Sequence, residues 1–159
     1  MTSRLKSTTL LPAALALLIL TGCETVDSDA PARAAMSDAI RMEQPGNYFI
    51  ARRMYKKDYK MWGWVREPGK PWSTAKLVMI NEQKTLAPDR AAGKLGTDSN
   101  YEYKLLGGFS GALVYEPASD KFYPEFVLTS AEIRSTTPPR IFSTKRQEDP
   151  TVRILLPPI

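Results

Sequence analysis

The chain has 159 residues, with 22 Lys+Arg against 17 Asp+Glu for a formal charge of +5, no histidine and a single cysteine. One cysteine allows no internal disulfide, and without histidine neither a Ser-His-Asp triad nor a Cys/His zinc site is available. A positive balance this mild does not call for nucleic acid, and no nucleic-acid partner, metal or cofactor is expected.

At the N-terminus, Arg4 and Lys6 precede an unbroken apolar or proline stretch from Leu10 to Leu20. That length fits the hydrophobic region of a signal peptide, about 7 to 15 residues, and falls short of the about 20 that a membrane-spanning helix needs. Leu20-Thr21-Gly22-Cys23 follows. This resembles the lipobox of bacterial lipoproteins: an aliphatic residue, two small residues, then cysteine. The resemblance implies export, transfer of diacylglycerol to the Cys23 thiol and cleavage between Gly22 and Cys23. It covers residues 1–23 alone. Two or three acyl chains would hold the protein on a membrane, since each buried methylene contributes about 0.8 kcal/mol. With its only thiol lipidated, the protein would have none for catalysis. Glu24, where an aspartate typically favours inner-membrane retention, leans toward the outer membrane facing the periplasm; the outer leaflet of the cytoplasmic membrane is the alternative. Losing Arg4 and Lys6 with residues 1–22 leaves a side-chain balance of +3.

The segment 23–46 reads as the lipidated N-terminus and a flexible tether. It is rich in Ala, Asp, Ser and Met, with a short helix expected over Ala34–Met42 and a stop at Pro45-Gly46. A β-domain is expected over 47–135. Aromatic and β-branched residues on either side of Lys56-Lys57-Asp58 read as two strands, and Glu67-Pro68-Gly69-Lys70-Pro71 as a turn. Leu77-Val78-Met79-Ile80 reads as a strand buried on both faces. The irregular stretch Leu86–Asn100 carries a helical turn near Asp89–Ala92. In the next strand Tyr101, Tyr103 and Leu105 share a face opposite Glu102 and Lys104. Gly107-Gly108-Phe109-Ser110-Gly111 signals a bulge or bend between strands. A last strand spans Phe122–Ile133, with Phe126 and Leu128 on one face and Pro124 near an edge. Residues 136–159, with five prolines, read as an extended tail with little ability to pack on itself.

These patterns predict a mainly β fold: a small antiparallel barrel or strongly bent sheet, OB-like or SH3-like, preceded by a signal helix and a flexible tether. The suggestive constellation is Arg52, Arg53, Lys56, Lys57, Lys60 and Arg66 among Tyr55, Tyr59, Trp62 and Trp64. On an open surface these residues would grip an anionic ligand, with Trp62 and Trp64, on one face of a strand, forming a platform for a sugar ring. Strand alternation alone also produces such interleaving, with the rings in the core and the cations solvated.

Ser73-Thr74-Ala75-Lys76 matches the Ser-x-x-Lys pattern, but no Ser-Asp-Asn or Lys-Thr-Gly accompanies it. Glu67, Glu82, Glu116 and Glu125 are too scattered to single out a carboxylate pair. No catalytic residue is therefore assigned. The expected function is that of a membrane-anchored envelope lipoprotein whose β-domain binds or scaffolds without catalysis. Its partners would be the membrane, through the anchor, and an envelope glycan, lipid headgroup or protein. The alternatives are a cell-wall glycan or peptide hydrolase or its accessory subunit, and an assembly subunit docking through its Pro-rich tail.

Overall fold

A computed structural model describes residues 28–159. The expected signal segment, the Gly22–Cys23 cleavage point and the lipidation position Cys23 lie outside the described residues. Helix α1 (Ala30–Arg41) comes first, followed by β1 (Phe49–Arg53), β2 (Gly63–Arg66) and β3 (Lys76–Asn81). A short helix α2 (Pro88–Ala91) leads into two long strands, β4 (Glu102–Glu116) and β5 (Lys121–Ser135).

The strands close into a barrel in the order β1-β2-β3-β5-β4, with β4 returning to β1. Four pairings are antiparallel, and β3 pairs with β5 in parallel. A ring with an odd number of strands cannot alternate direction all the way round, so a closed antiparallel barrel of five strands is geometrically impossible. One parallel pairing is the consequence of closure. Of the two closures expected, this is the OB-like one, with the α2 excursion between β3 and β4.

Period-two alternation sends side chains to two separate cores. Inside the barrel lie Ala51, Trp62, Val65, Val78, Tyr103, Leu105, Phe126 and Leu128. On the outer face of β1, β2 and β3 lies a second cluster containing Ile50, Trp64, Leu77 and Met79. The run Leu77–Ile80 is apolar throughout because its residues serve both cores in turn.

The outer core is sealed by segments that composition had assigned to tether and tail. Helix α1 brings Ile40 and Met36, so this part of the segment 23–46 is packed on the barrel and is not a free tether. The C-terminal segment, expected to be an extended tail with little ability to pack on itself, packs instead on the barrel, laying Ile141, Phe142 and Leu155 on the same face. It is stitched down by Arg52 Nη2 donating to the Pro139 carbonyl (2.9 Å) and Lys56 Nζ to the Asp149 carbonyl (2.5 Å). The Lys57 backbone N–H also donates to the Pro150 carbonyl (3.0 Å). Among its prolines the segment forms no strand and only the short 3-10 helix Lys145–Gln147, but its apolar side chains still find a sheet to cover.

The glycine-rich stretch bends one continuous strand and does not separate two. In β4 the register against β5 shifts between Leu106 and Gly107 and again between Phe109 and Leu113. Gly107, at φ +145°, passes so close to β5 that an added Cβ would lie 2.1 Å from the Val127 carbonyl oxygen. Past the bend the β4–β5 ribbon turns one face inward, through Val114 and Tyr123, and shows Leu113, Tyr115 and Phe122 to solvent.

Candidate functional site

The cation-rich β1–β2 region mostly faces inward. Arg52, Arg53, Lys56 and Arg66 are buried, as are Trp62 and Trp64, while Lys57 and Lys60 are exposed. Burying a guanidinium is costly unless it is paired and hydrogen-bonded, and each of the three arginines is.

Arg53 reaches into the end of the barrel beneath α2. Its Nη1 donates to the carbonyls of Met61 (2.8 Å) and Trp62 (2.7 Å), and Nη2 donates to Asp89 (2.9 Å). Asp98 stands 3.5 Å from Nε and accepts a hydrogen bond from the Tyr103 hydroxyl (2.9 Å). Asp89 also takes the backbone N–H groups of Arg90 and Gly96, so this network plugs the barrel and pins the excursion across it. Burial would raise the Asp89 carboxyl, but the Arg53 hydrogen bond and charge outweigh it and hold it below its ordinary value. Burial, aided by Asp89 and resisted by Arg53, raises that of Asp98.

On the outer face Arg52 and Arg66 lie over the buried Trp72 ring, at 5.5 and 4.7 Å from its centroid. Arg66 forks onto Glu43 at 2.6 and 2.8 Å. Arg134 bridges Glu43 (2.9 Å) and Glu102 (3.0 Å), and Glu102 stands 3.5 Å from Arg52. Burial pushes the Arg52 guanidinium down to about 10 against the pull of Glu102, leaving it charged at neutral pH. Against burial, Arg66, the Gly69 N–H and Arg134 hold the Glu43 carboxyl below its ordinary value.

No Trp62–Trp64 platform forms: both rings are buried, as the reading of the aromatics as core has it, but they do not share the one face expected of them. Trp62 belongs to the barrel core and Trp64 to the outer core. The strand begins only at Gly63, whose φ of +154° breaks the alternation, so residues two apart cross to opposite sides. An added Cβ there would lie 2.1 Å from the Arg52 carbonyl oxygen. A signal was present in the sequence: a glycine inside a strand pattern marks a bulge or a close backbone approach.

The remaining motifs are dispersed. Lys76 Nζ lies 5.1 Å over the Phe109 ring, and Ser73 is exposed on the turn Trp72–Thr74. Glu82 accepts from the Ala87 N–H and Glu125 from the Asn81 side chain. Glu116, buried, accepts from the backbone N–H groups of Lys60 and Ala118, while Glu67 is exposed.

The barrel end opposite the Arg53 plug is open. There a cleft of about 370 Å³ is lined by Phe49, Val65, Arg66, Glu67, Lys70, Thr74, Lys76 and Phe109. Its apolar side is a three-ring cluster: Phe49, Phe109 and Phe126 meet edge to face at centroid distances of 5.2 to 5.6 Å. At its rim Lys70 and Lys76 are exposed, and no ion pair involving either occurs among the described residues. Glu43 fixes one edge from behind by accepting the Gly69 N–H (2.8 Å), which sets the turn carrying Lys70. The bend at Gly107 sets the other by tipping Phe109 over the opening. A concave site in a barrel mouth, apolar below and polar at the rim, suits small-molecule binding. Sequence reasoning identified the turn and the bend separately but not their meeting.

A larger hollow of about 440 Å³ between Tyr59, Tyr123, Lys121 and Arg153 is less suited to an anion, because Arg153 is already paired with Asp58 at 2.7 Å. Among the described residues no group of three or more Cys, Asp or Glu side chains is placed to hold a metal ion. No helix of the described residues is long and apolar enough to cross a membrane. No protein-family model matches the chain, and neither a curated protein nor a solved structure matches it.

Proposed function

We propose that this protein is a lipid-anchored component of the bacterial cell envelope, on the outer membrane facing the periplasm, whose β-barrel is a non-catalytic binding module. The lipobox-like Leu20–Cys23 supports the anchor. The observation that carries the binding role is the barrel mouth, where two exposed lysines and two aromatic rings converge on one small concavity. The outer face of strands two and three, through which OB-type barrels bind extended polymers, is here covered by α1, the C-terminal segment and the β4–β5 ribbon.

The early start of α1 supports a close mount. Between Cys23 and Ala30 the chain spans about 25 Å at full extension, so the barrel would be held against the bilayer and not on a long leash. The anchor is tested by Cys23→Ala in the native host. Loss of acyl labelling and release from the membrane fraction are expected; unchanged labelling and fractionation would refute it. Separation of the two membranes on a density gradient tests the outer-membrane location.

A further inference from the structure

We infer that the barrel mouth is a two-point site for a small anion joined to an apolar ring or short chain. The anionic group is held by Lys70 and Lys76, and the apolar body lies on Phe49 and Phe109. This rests on the reading of the barrel as a binding module and names its ligand chemistry.

The charge at the rim decides the sign. Three cations line the cleft, but Arg66 is committed to Glu43 through both terminal nitrogens. Lys70 and Lys76 remain, against one lining carboxylate, Glu67, so the opening carries an excess of one positive charge. Lys76 has an aromatic face beside it, with Nζ 5.1 Å from the Phe109 centroid. The ammonium can turn from the ring to an anion without crossing the cleft, and the ring is then free to cover an apolar group.

The apolar side sets the second requirement. Phe109 is 37% exposed and Phe49 is half-buried at the cleft wall, while Phe126 is fully buried behind them, so two rings of the cluster remain available to a ligand. A cleft of about 370 Å³ is at the small end of ligand sites, of the order of 300 to 1,000 Å³, which suits one ring or a short chain with one headgroup. An ion alone would leave the rings wet, and a neutral apolar body would leave both lysines unused.

The test uses the full-length protein in zwitterionic nanodiscs, followed by NMR. Phenyl phosphate, hexyl phosphate, inorganic phosphate and benzyl alcohol are the probes. Phenyl or hexyl phosphate is expected to bind at least about tenfold more tightly than inorganic phosphate or benzyl alcohol, with shifts confined to the segments around Phe49, Lys70–Lys76 and Phe109. A preference for the hexyl over the phenyl ester would indicate a lipid-like source, and the reverse an aromatic one. Lys70→Gln with Lys76→Gln should remove the preference for the esters over benzyl alcohol. Glu67→Gln should strengthen ester binding about threefold by removing the opposing charge. All three positions are exposed, so circular dichroism should show an intact fold.

Equal binding of inorganic phosphate and the esters, or of benzyl alcohol and the esters, would overturn the two-point site while leaving a binding module with another specificity. Absence of binding by all four probes would overturn the site itself. Acyl labelling and membrane fractionation, measured separately, would still stand or fall with the envelope assignment.

Discussion

Replacing Arg53 by methionine should remove the plug at the closed end of the barrel. Methionine keeps much of the stem's packing but leaves the Met61 carbonyl without this donor, the Trp62 carbonyl with the Met54 N–H alone, and two buried carboxylates, Asp89 and Asp98, without the Arg53 cation. Breaking a buried pair from one side costs about 3 to 5 kcal/mol, a large share of the about 5 to 15 kcal/mol that holds a domain folded. In urea, with an m-value of about 1 to 3 kcal/mol per molar, the unfolding midpoint should fall by at least about 1 M. Trp62, which contacts Tyr103 edge-on at 5.3 Å, offers a local fluorescence signal. The pH response is the sharper discriminator. In the parent, Asp89 is held below its ordinary 3.8, so its contribution is present above that pH and fades as the medium is acidified through the folded value. Without Arg53, burial and Asp98 should push the Asp89 carboxyl above 3.8. Asp98, already raised in the parent, is then joined by Asp89 in costing stability when ionised, and acidification from neutral pH toward 4 should restore more stability than it does in the parent. Arg53→Lys, keeping the charge without the fork, should lie between the two. A loss below about 1 kcal/mol, or parallel acid responses in parent and methionine variant, would refute the view that this network secures the α2 excursion.

The remaining predictions are separately measurable in the same unfolding assay. Gly63→Ala should cost about 3 kcal/mol, because φ is +154° and the new Cβ would strike the Arg52 carbonyl across a paired strand. Phe142→Ala should cost about 3 kcal/mol, as expected of a core ring and not of a free tail; a change within 0.5 kcal/mol or so would return the C-terminal segment to the status of an appendage. Leu113→Ser with Phe122→Ser, both on the exposed face of the β4–β5 ribbon, should leave the unfolding free energy within about 0.5 kcal/mol of the parent.

The strands were legible wherever side-chain parity held. Tyr103 and Leu105 fill the barrel together, as do Phe126 and Leu128, because a strand two residues further along returns to the same side. Parity failed at Gly63, where one residue with positive φ separates Trp62 from Trp64. The C-terminal segment was misjudged for a different reason. Proline content reports on whether a segment builds its own hydrogen-bonded structure, and not on whether Ile141 and Phe142 will be covered by another part of the chain.

The same distinction explains the cations. Within Asn47–Arg66 they outnumber acids heavily, and the local window offers only Asp58, which pairs with Arg153 instead. The partners come from elsewhere in the sequence: Glu43 from the end of α1, Asp89 and Asp98 from the excursion, Glu102 from β4. A window of sequence therefore measures how much charge a strand pair carries and cannot say how much of it remains uncompensated. That depends on which acids the topology returns to the same place. Here Arg52, Arg53 and Arg66 are compensated in the interior, while the unpaired Lys70 and Lys76 stand where no acid is brought back to meet them beyond Glu67. Charge left over after folding, and not charge density along the chain, is what an anion would meet, and at the barrel mouth it is borne by Lys70 and Lys76.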